Sequence, residues 1–311
     1  MNFKKYRYLY FIFSLCFIVP GLISLVMFGV KPSIDFTGGS LLEVKESGSK
    51  ATSLNQSDFQ NALGTSYQVV STQHTSSDQY ILRGEPISND KKDEVIKTLN
   101  TKLAPTQEVQ FQTVGPILGK ELIQKTIYAG ILVSAVIILY IWRSFKSLKY
   151  GVAAVVAMLH DALILIGAFS ILGKVGNVEV DVLFVTALLT ILSFSVHDTI
   201  IVFDRIRENV RKHHRATYTQ VVDASILETL GRSINNSMTI IIMLLALSFL
   251  GGQTIHWFSI ALLIGAVTGT YSSTFTAAPL LVVWDEMAEK MKERKRVGAR
   301  AAIIAKEDKE A

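Results

Sequence analysis

The chain has 311 residues, 50% of them hydrophobic and only 18% charged, with a mean hydropathy of +0.36. So little charge, with apolar residues gathered in long runs, excludes an ordinary soluble domain and is the signature of a multi-span membrane protein. The net charge of +5 alone would allow a nucleic-acid partner, but the placement of the charges excludes it, and the single Cys16 excludes an intrachain disulfide.

Lys4, Lys5 and Arg7 precede an apolar run over 8–29 with no small-residue cleavage site after it. The run therefore reads as an anchor and first span rather than a removed signal peptide. Residues 31–121 change to short alternating patterns. SLLEVKE (40–46), YQVVSTQ (67–73), QYILRGE (79–85) and TQEVQFQTV (106–114) predict strands. NQSDFQNALG (55–64) and SNDKKDEVIKTLN (88–100) predict helices, each with Ser, Asn or Asp near its start. The order βαββαβ predicts a ferredoxin-like α+β domain. Further apolar runs follow at 124–142, 150–172, 182–203, 234–250 and 255–281. Each is near the ~20 residues that cross a bilayer core. The fifth span begins with Asn235 and Asn236, and the sixth is long enough to tilt.

The expected architecture is an α-helical polytopic membrane protein with six transmembrane helices and an extracytoplasmic ferredoxin-like domain between the first two. Residues 1–30 hold the N-terminus and first span, 31–121 the sheet domain, 122–285 spans two to six, and 286–311 a basic tail. Orientation follows from lysine and arginine in short loops. The 143–149 loop has Arg143, Lys146 and Lys149, and the 204–233 loop has Arg205, Arg207, Arg211, Lys212, Arg215 and Arg232. The tail has Lys290, Lys292, Arg294, Lys295, Arg296 and Arg300. The short loops on the other side, 173–181 and 251–254, hold only Lys174. Both termini are thus expected in the cytoplasm, and the basic surplus becomes a topology signal and a contact for anionic lipid.

The chemistry lies inside the apolar runs. Thr186, Thr190, Ser193 and His197 fall on one stripe of the fourth span, and Asp204 continues it. Such a stripe should turn toward other helices or a wet cavity. Asp198 sits ~100° around from His197, with Arg205 two turns further on. Low dielectric favours the neutral form of a carboxylic acid and an approaching cation the ionised form, so a buried carboxylate with a movable cation can take up and release a proton. Arg232, just before the fifth span, is the candidate cation for Asp198; the alternatives are helix glue for the first and a positive-inside anchor for the second. The third span carries a second pair, His160 and Asp161, read as structural or as part of a proton relay. Adjacent residues diverge around a helix and no HExxH or Cys-rich spacing is present, so no metal or other cofactor is expected. Gly265, Gly269 and Ser273 recur every four residues in the sixth span, a small-residue stripe for close helix packing. After the first span, Gly38 and Gly39 of DFTGG permit a tight turn or close backbone approach. Asp35 is placed to cap or brace it, and the motif reads as a hinge or coupling point, or as a passive turn.

Several of these stretches together resemble the SecF family, the membrane subunit of the bacterial SecD–SecF export complex within the RND-like superfamily. They are IDFTGGS (34–40), VGPILGKEL (114–122), HDALILIGAFSIL (160–172), HDTIIVFDRIREN (197–209), TLGRSINNS (229–237) and GTYSSTFTAAPLL (269–281). The resemblance implies a bacterial cytoplasmic-membrane protein that uses the proton gradient to assist export of secreted polypeptides, with no covalent chemistry of its own. It implies SecD, the SecYEG channel and a YajC-like small subunit as partners. The family's proton-coupling aspartate falls on Asp198 and its membrane arginine on Arg232. The residue before that aspartate is usually Asn, and here it is His197, which brings a side chain that titrates near neutral pH into the relay. A small-molecule exporter of the same superfamily, a passive scaffold of the channel and an intramembrane metalloenzyme are the competing readings.

Overall fold

The computed structural model describes residues 3–46, 54–76, 79–103, 105–145 and 147–310. Lys146 of the basic 143–149 loop lies outside the described residues, as do the side chains of Lys4, Lys5 and Arg300. In chain order the elements are α1 (Phe3–Phe28), α2 (Ile34–Thr37), β1 (Gly39–Glu46), α3 (Gln56–Leu63), β2 (Val69–Ser76), β3 (Gln79–Gly84), α4 (Asn89–Lys102) and β4 (Thr106–Val114). Then follow α5 (Pro116–Phe145), α6 (Leu148–Gly176), α7 (Val182–Lys212), α8 (Tyr218–Leu250), α9 (Gln253–Ser272), a π-helical turn (Ser273–Ala277) and α10 (Ala278–Glu310). Six helices are long and apolar enough to cross a membrane, the last of them running through α9, the π turn and α10. The chain forms two compact units.

One unit comprises Phe28–Ile131 and Phe169–Val185. Its sheet has the order β2-β3-β1-β4 with every pair antiparallel, the arrangement expected of a ferredoxin-like domain. Leu42 of the central β1 pairs with Leu82 on one side and Phe111 on the other. Leu42, Val44, Tyr80 and Leu82 pack against Phe59 and Leu63 of α3 and Val95 and Leu99 of α4. Each such fully buried side chain contributes about 1.5–3 kcal/mol. Alternation of burial along β3 is what made this strand readable as a period-two pattern.

The other unit comprises Met1–Met27, Leu132–Ala168 and Thr186–Ala311. Its core joins α5, α6, α7, α8 and the π turn with α10 through Ile141, Ala153, Ala157, Leu192, Phe203, Ile226, Ala277 and Leu281. Small residues set the closest approaches. A Cβ on Gly167 of α6 would lie 2.7 Å from Cα of Gly21 in α1. A Cβ on Gly265 would lie 2.3 Å from the Ile191 side chain, whereas one on Gly269 meets only ordinary contacts at 3.4 Å. Of the small-residue stripe, Gly265 is the position that requires glycine.

The helices run past the apolar segments. α7 continues to Lys212, where Glu208 pairs with Lys212 at 2.6 Å one turn on. α8 starts at Tyr218 rather than 234, on a capping box in which the Gln220 N–H donates to Thr217 Oγ1 and the Thr217 N–H to Gln220 Oε1.

Candidate functional site

Within the helical unit the site is built around two buried carboxylates. Asp198 on α7 is 4% exposed and accepts two hydroxyl bonds. Ser233 of α8 donates to Oδ1 at 2.7 Å, and Ser273, the first residue of the π turn, donates to Oδ2. Asp161 on α6 is fully buried. Its Oδ2 accepts from Ser195 of α7 at 2.5 Å and from Ser272 of α9 at 2.6 Å, and its Oδ1 lies 2.9 Å from Nδ1 of His160. Helical periodicity explains the convergence: Ser195 and Asp198 are three residues apart and share a face, while Ser272 and Ser273 are adjacent and point to different carboxylates. Among the described residues no lysine or arginine is buried, so both acids rest on hydroxyl and imidazole donors. No sequence pattern distinguishes Ser195, Ser233 or Ser272, and Ser273 stands out only as part of the small-residue packing stripe. A hydroxyl in an apolar helix is common, and only the angular phase of four helices selects these.

The other expected site residues lie elsewhere. Arg232 is exposed and lines a cavity of about 420 Å³ together with Ile201, Asp204, Arg205, Glu208, Glu228 and Thr229. It is next to Ser233 in sequence and, among the described residues, belongs to no ion pair; Arg205 takes that part, bonding Glu228 and lying 2.7 Å from Glu208. His197 is exposed, as are Thr186, Thr190, Ser193 and Asp204. The polar stripe of α7 thus faces out of the chain rather than into it. Among the described residues no group of three His, Cys, Asp or Glu side chains is arranged to hold a metal ion.

In the sheet-bearing unit, the DFTGG turn holds Gly38 at φ 72° and Gly39 at φ 138°, conformations that glycine adopts without strain. A Cβ on Gly38 would lie 2.8 Å from Cα of Pro116, and one on Gly119 2.8 Å from the Phe36 carbonyl, so the turn sits backbone-to-backbone on the start of α5. Asp35 does not brace its own turn. Ser33 caps α2, accepting the Asp35 N–H at 3.2 Å, and the Asp35 carboxylate accepts the Val182 N–H at 3.2 Å, at the start of α7. Asp181 takes the Phe184 N–H at 2.7 Å, so two carboxylates serve the orphan donors of that helix end. Burial lifts the Asp181 carboxyl above its ordinary range, the bond from Phe184 opposes this, and the charge of Asp35 adds to the lift. The loop before α7 is further tied by a parallel bridge of Val180 to Pro32, and by Glu179, which lies 3.3 Å from Lys31 and 3.0 Å from Arg83 of β3.

Residues 95–287 match the family described as protein export membrane protein SecD/SecF, C-terminal, and residues 23–45 match the SecD/SecF GG motif. The chain is 42% identical to protein translocase subunit SecF of Thermobaculum terrenum over 90% of its own length and 93% of that protein. It is 40% identical to the SecF of Anaerolinea thermophila, covering 92% of itself and 94% of the relative. A crystal structure of SecDF, a translocon-associated membrane protein from Thermus thermophilus, superposes with a TM-score of 0.80 at 28% identity, over 92% of this chain and 39% of that one. The chain therefore spans about two fifths of the SecDF protein it resembles, and nearly all of the separate SecF subunits. It belongs to the SecF family of protein translocase subunits, six-span proteins of the inner membrane that serve protein export.

Proposed function

We propose that the chain couples proton passage at Asp198 to protein export, working as one half of an assembly with a SecD chain. Two carboxylates in an apolar interior, with no buried cation among the described residues, carry this reading. Asp198 is enclosed by hydroxyls, yet Ile201 is one turn away on α7 and Ser233 is adjacent to Arg232, and both Ile201 and Arg232 line the cavity. A small slide or rotation of α8 that withdraws Ser233 brings the long Arg232 side chain in its place. The exchange of a neutral donor for a guanidinium favours release of a proton, and the reverse exchange favours its capture. His197, exposed beside Asp198, serves the outward-facing end of the same path.

The SecDF relatives join SecD and SecF parts in one chain, which supports SecD as the partner on the exposed stripe of α7. Both termini lie in the cytoplasm in this reading, the sheet domain outside, and the basic tail on anionic lipid. The SecYEG channel, a YajC-like subunit and secreted polypeptides complete the assembly. The DFTGG turn, through Asp35, Gly38 and Gly39, transmits movement between the sheet domain and the spans. One proton crossing 100 mV supplies ~2.3 kcal/mol, so several drive one mechanical step.

Asp198→Asn keeps the shape and the hydroxyl bonds but cannot ionise. In proteoliposomes with SecD and the channel, this variant is expected to assemble at the normal ratio and to lose the stimulation of export by a proton gradient. Full stimulation in the variant sinks the relay, and export equally insensitive to the gradient in the unmodified protein favours a passive scaffold.

A further inference from the structure

Asp161 and His160 are buried, titratable and unused by the relay at Asp198 and Arg232. Asp161 receives three donors, from Ser195, Ser272 and His160. With Nδ1 of His160 carrying the proton toward Asp161, Nε2 has no partner among the described residues, and the residue is only 6% exposed. A buried ring nitrogen without a partner costs about 1–3 kcal/mol. The ring of Tyr271 stacks on the imidazole at 6.4 Å, and the groups facing Asp161 from other elements are Ser195 of α7 and Ser272 of α9. Asp198 lies three residues beyond Ser195 on the same face of α7 and accepts from Ser273.

The link between the two acids is the step from Ser272 to Ser273. Ser272 donates to Asp161, and Ser273 donates to Asp198. Each hydroxyl has a second acceptor in reach: Gly269 O lies 3.2 Å from Ser272 Oγ, and Thr270 O lies 3.1 Å from Ser273 Oγ. A serine hydroxyl carries one proton and rotates to suit its neighbours. Facing an ionised carboxylate it donates to the acid. Facing a protonated acid it accepts, and its own proton turns to the backbone carbonyl three residues back. These two serines stand where α9 gives way to the π turn, a form of helix with loosened backbone bonds that recurs at functional sites. The protonation state of either carboxylate therefore acts on the hydrogen bonding of the same turn.

Resting on the relay reading above, we propose that Asp161 is a second protonation site of this machinery, with His160 as its proton exchange partner. The Ser272–Ser273 step at the π turn is the positioning element that couples its state to that of Asp198. The proton taken up by Asp161 is passed by His160, leaving through Nδ1 as another arrives at Nε2, so no oxidant or further reactant enters.

The test is infrared difference spectroscopy of the full chain with its SecD partner in lipid nanodiscs, titrated with pH. Among the protonated-carboxyl bands of the unmodified complex, one is expected to be lost in Asp198→Asn and a second, distinct one in Asp161→Asn. Interacting acids shift each other, so Asp161→Asn is expected to move the midpoint of the Asp198 band by about one pH unit. Ser272→Ala, which retains both acids, is expected to move it in the same sense, with Ser272→Thr restoring it. An Asp198 midpoint unchanged in both Asp161→Asn and Ser272→Ala overturns the coupling, and a band for Asp161 absent at every pH overturns the second site. If Asp161→Asn fails to co-purify with SecD, the serine variants decide alone. Either result leaves the export test of Asp198→Asn standing on its own, so the failure of one proposal is told from the failure of the other.

Discussion

Asp198 keeps its place through hydroxyls donated by two other elements, and each is a separate lever on the site. Ser233→Ala leaves Oδ1 without its donor inside packed helices, at a cost of about 1–3 kcal/mol for a buried acceptor left unpaired. The expected result is a lower unfolding temperature of the purified complex and slower gradient-driven export, both restored by Ser233→Thr and neither by Ser233→Val. Equal behaviour of the Thr and Val variants would show that the pocket needs volume and not a donor. Asp198, Asp161 and His160 were legible in the sequence because ionisable groups inside apolar runs are costly and stand out. Their serine partners were not, because nothing local distinguishes Ser233 from the other hydroxyls of α8 such as Ser237 and Ser248. Arg232 was legible as a cation near the boundary, but its exposed position on the cavity wall depends on the pitch of α8 and follows from no pattern in the chain.

Elements differ in how far their boundaries could be read. Strand limits came out close, β4 at Thr106–Val114 as predicted, because alternation stops where pairing stops. The apolar runs are shorter than the helices because apolarity marks the membrane, whereas α7 and α8 continue on charge pairs and a capping box beyond it. The π turn at Ser273–Ala277 was illegible, since STFTA contains neither Pro nor Gly and its form answers to tertiary demands. Close packing gives a prediction for α1 and α6: Gly167→Ala puts a methyl against the Gly21 backbone, which cannot yield as a side chain can. A cost of about 1–3 kcal/mol is expected, read as a lower unfolding temperature in detergent, while Gly151→Ala, in open space on the same helix, is expected to hold or slightly raise it. The start of α7 gives another, in pH. Burial raises the folded-state pKa of Asp181 above the unfolded one. The stabilising contribution of this group is therefore complete below the unfolded value and is lost as pH rises through the folded one. Amide protection at Val182 and Phe184, measured by hydrogen exchange in the whole chain, is expected to fall across that interval. Asp181→Asn keeps an oxygen for the Phe184 N–H and should flatten the dependence; an unchanged slope would place the titration elsewhere.

At the scale of the whole molecule, the chain leaves much of its membrane surface without a neighbour. The most apolar window of α5 has none of its residues buried, and that of α1 has 17%. An apolar helix with exposed faces is satisfied by lipid, so these spans need no protein partner. The α7 stripe is different: the Thr190 hydroxyl bonds back to the Thr186 carbonyl, but Ser193, His197 and Asp204 are exposed and polar on the same face, and hydrocarbon offers them no partner. Only protein or enclosed water can cover such a face. The sequence declared the stripe through its helical spacing but placed no limit on which chain covers it. The SecDF protein of Bacillus subtilis carries the region matched here in 38% of its length, leaving a large remainder within the same chain. A photo-crosslinking side chain at Ser193, in the middle of the stripe, is accordingly expected to capture SecD in intact membranes. The same probe at Ile131 of α5, a 64% exposed apolar position, is expected to capture lipid. The contrast between the two sites is the measurement, since nonspecific capture would label both alike. Capture of lipid at Ser193 would leave a row of polar groups in hydrocarbon, and with it no route for a proton between the two halves of the assembly.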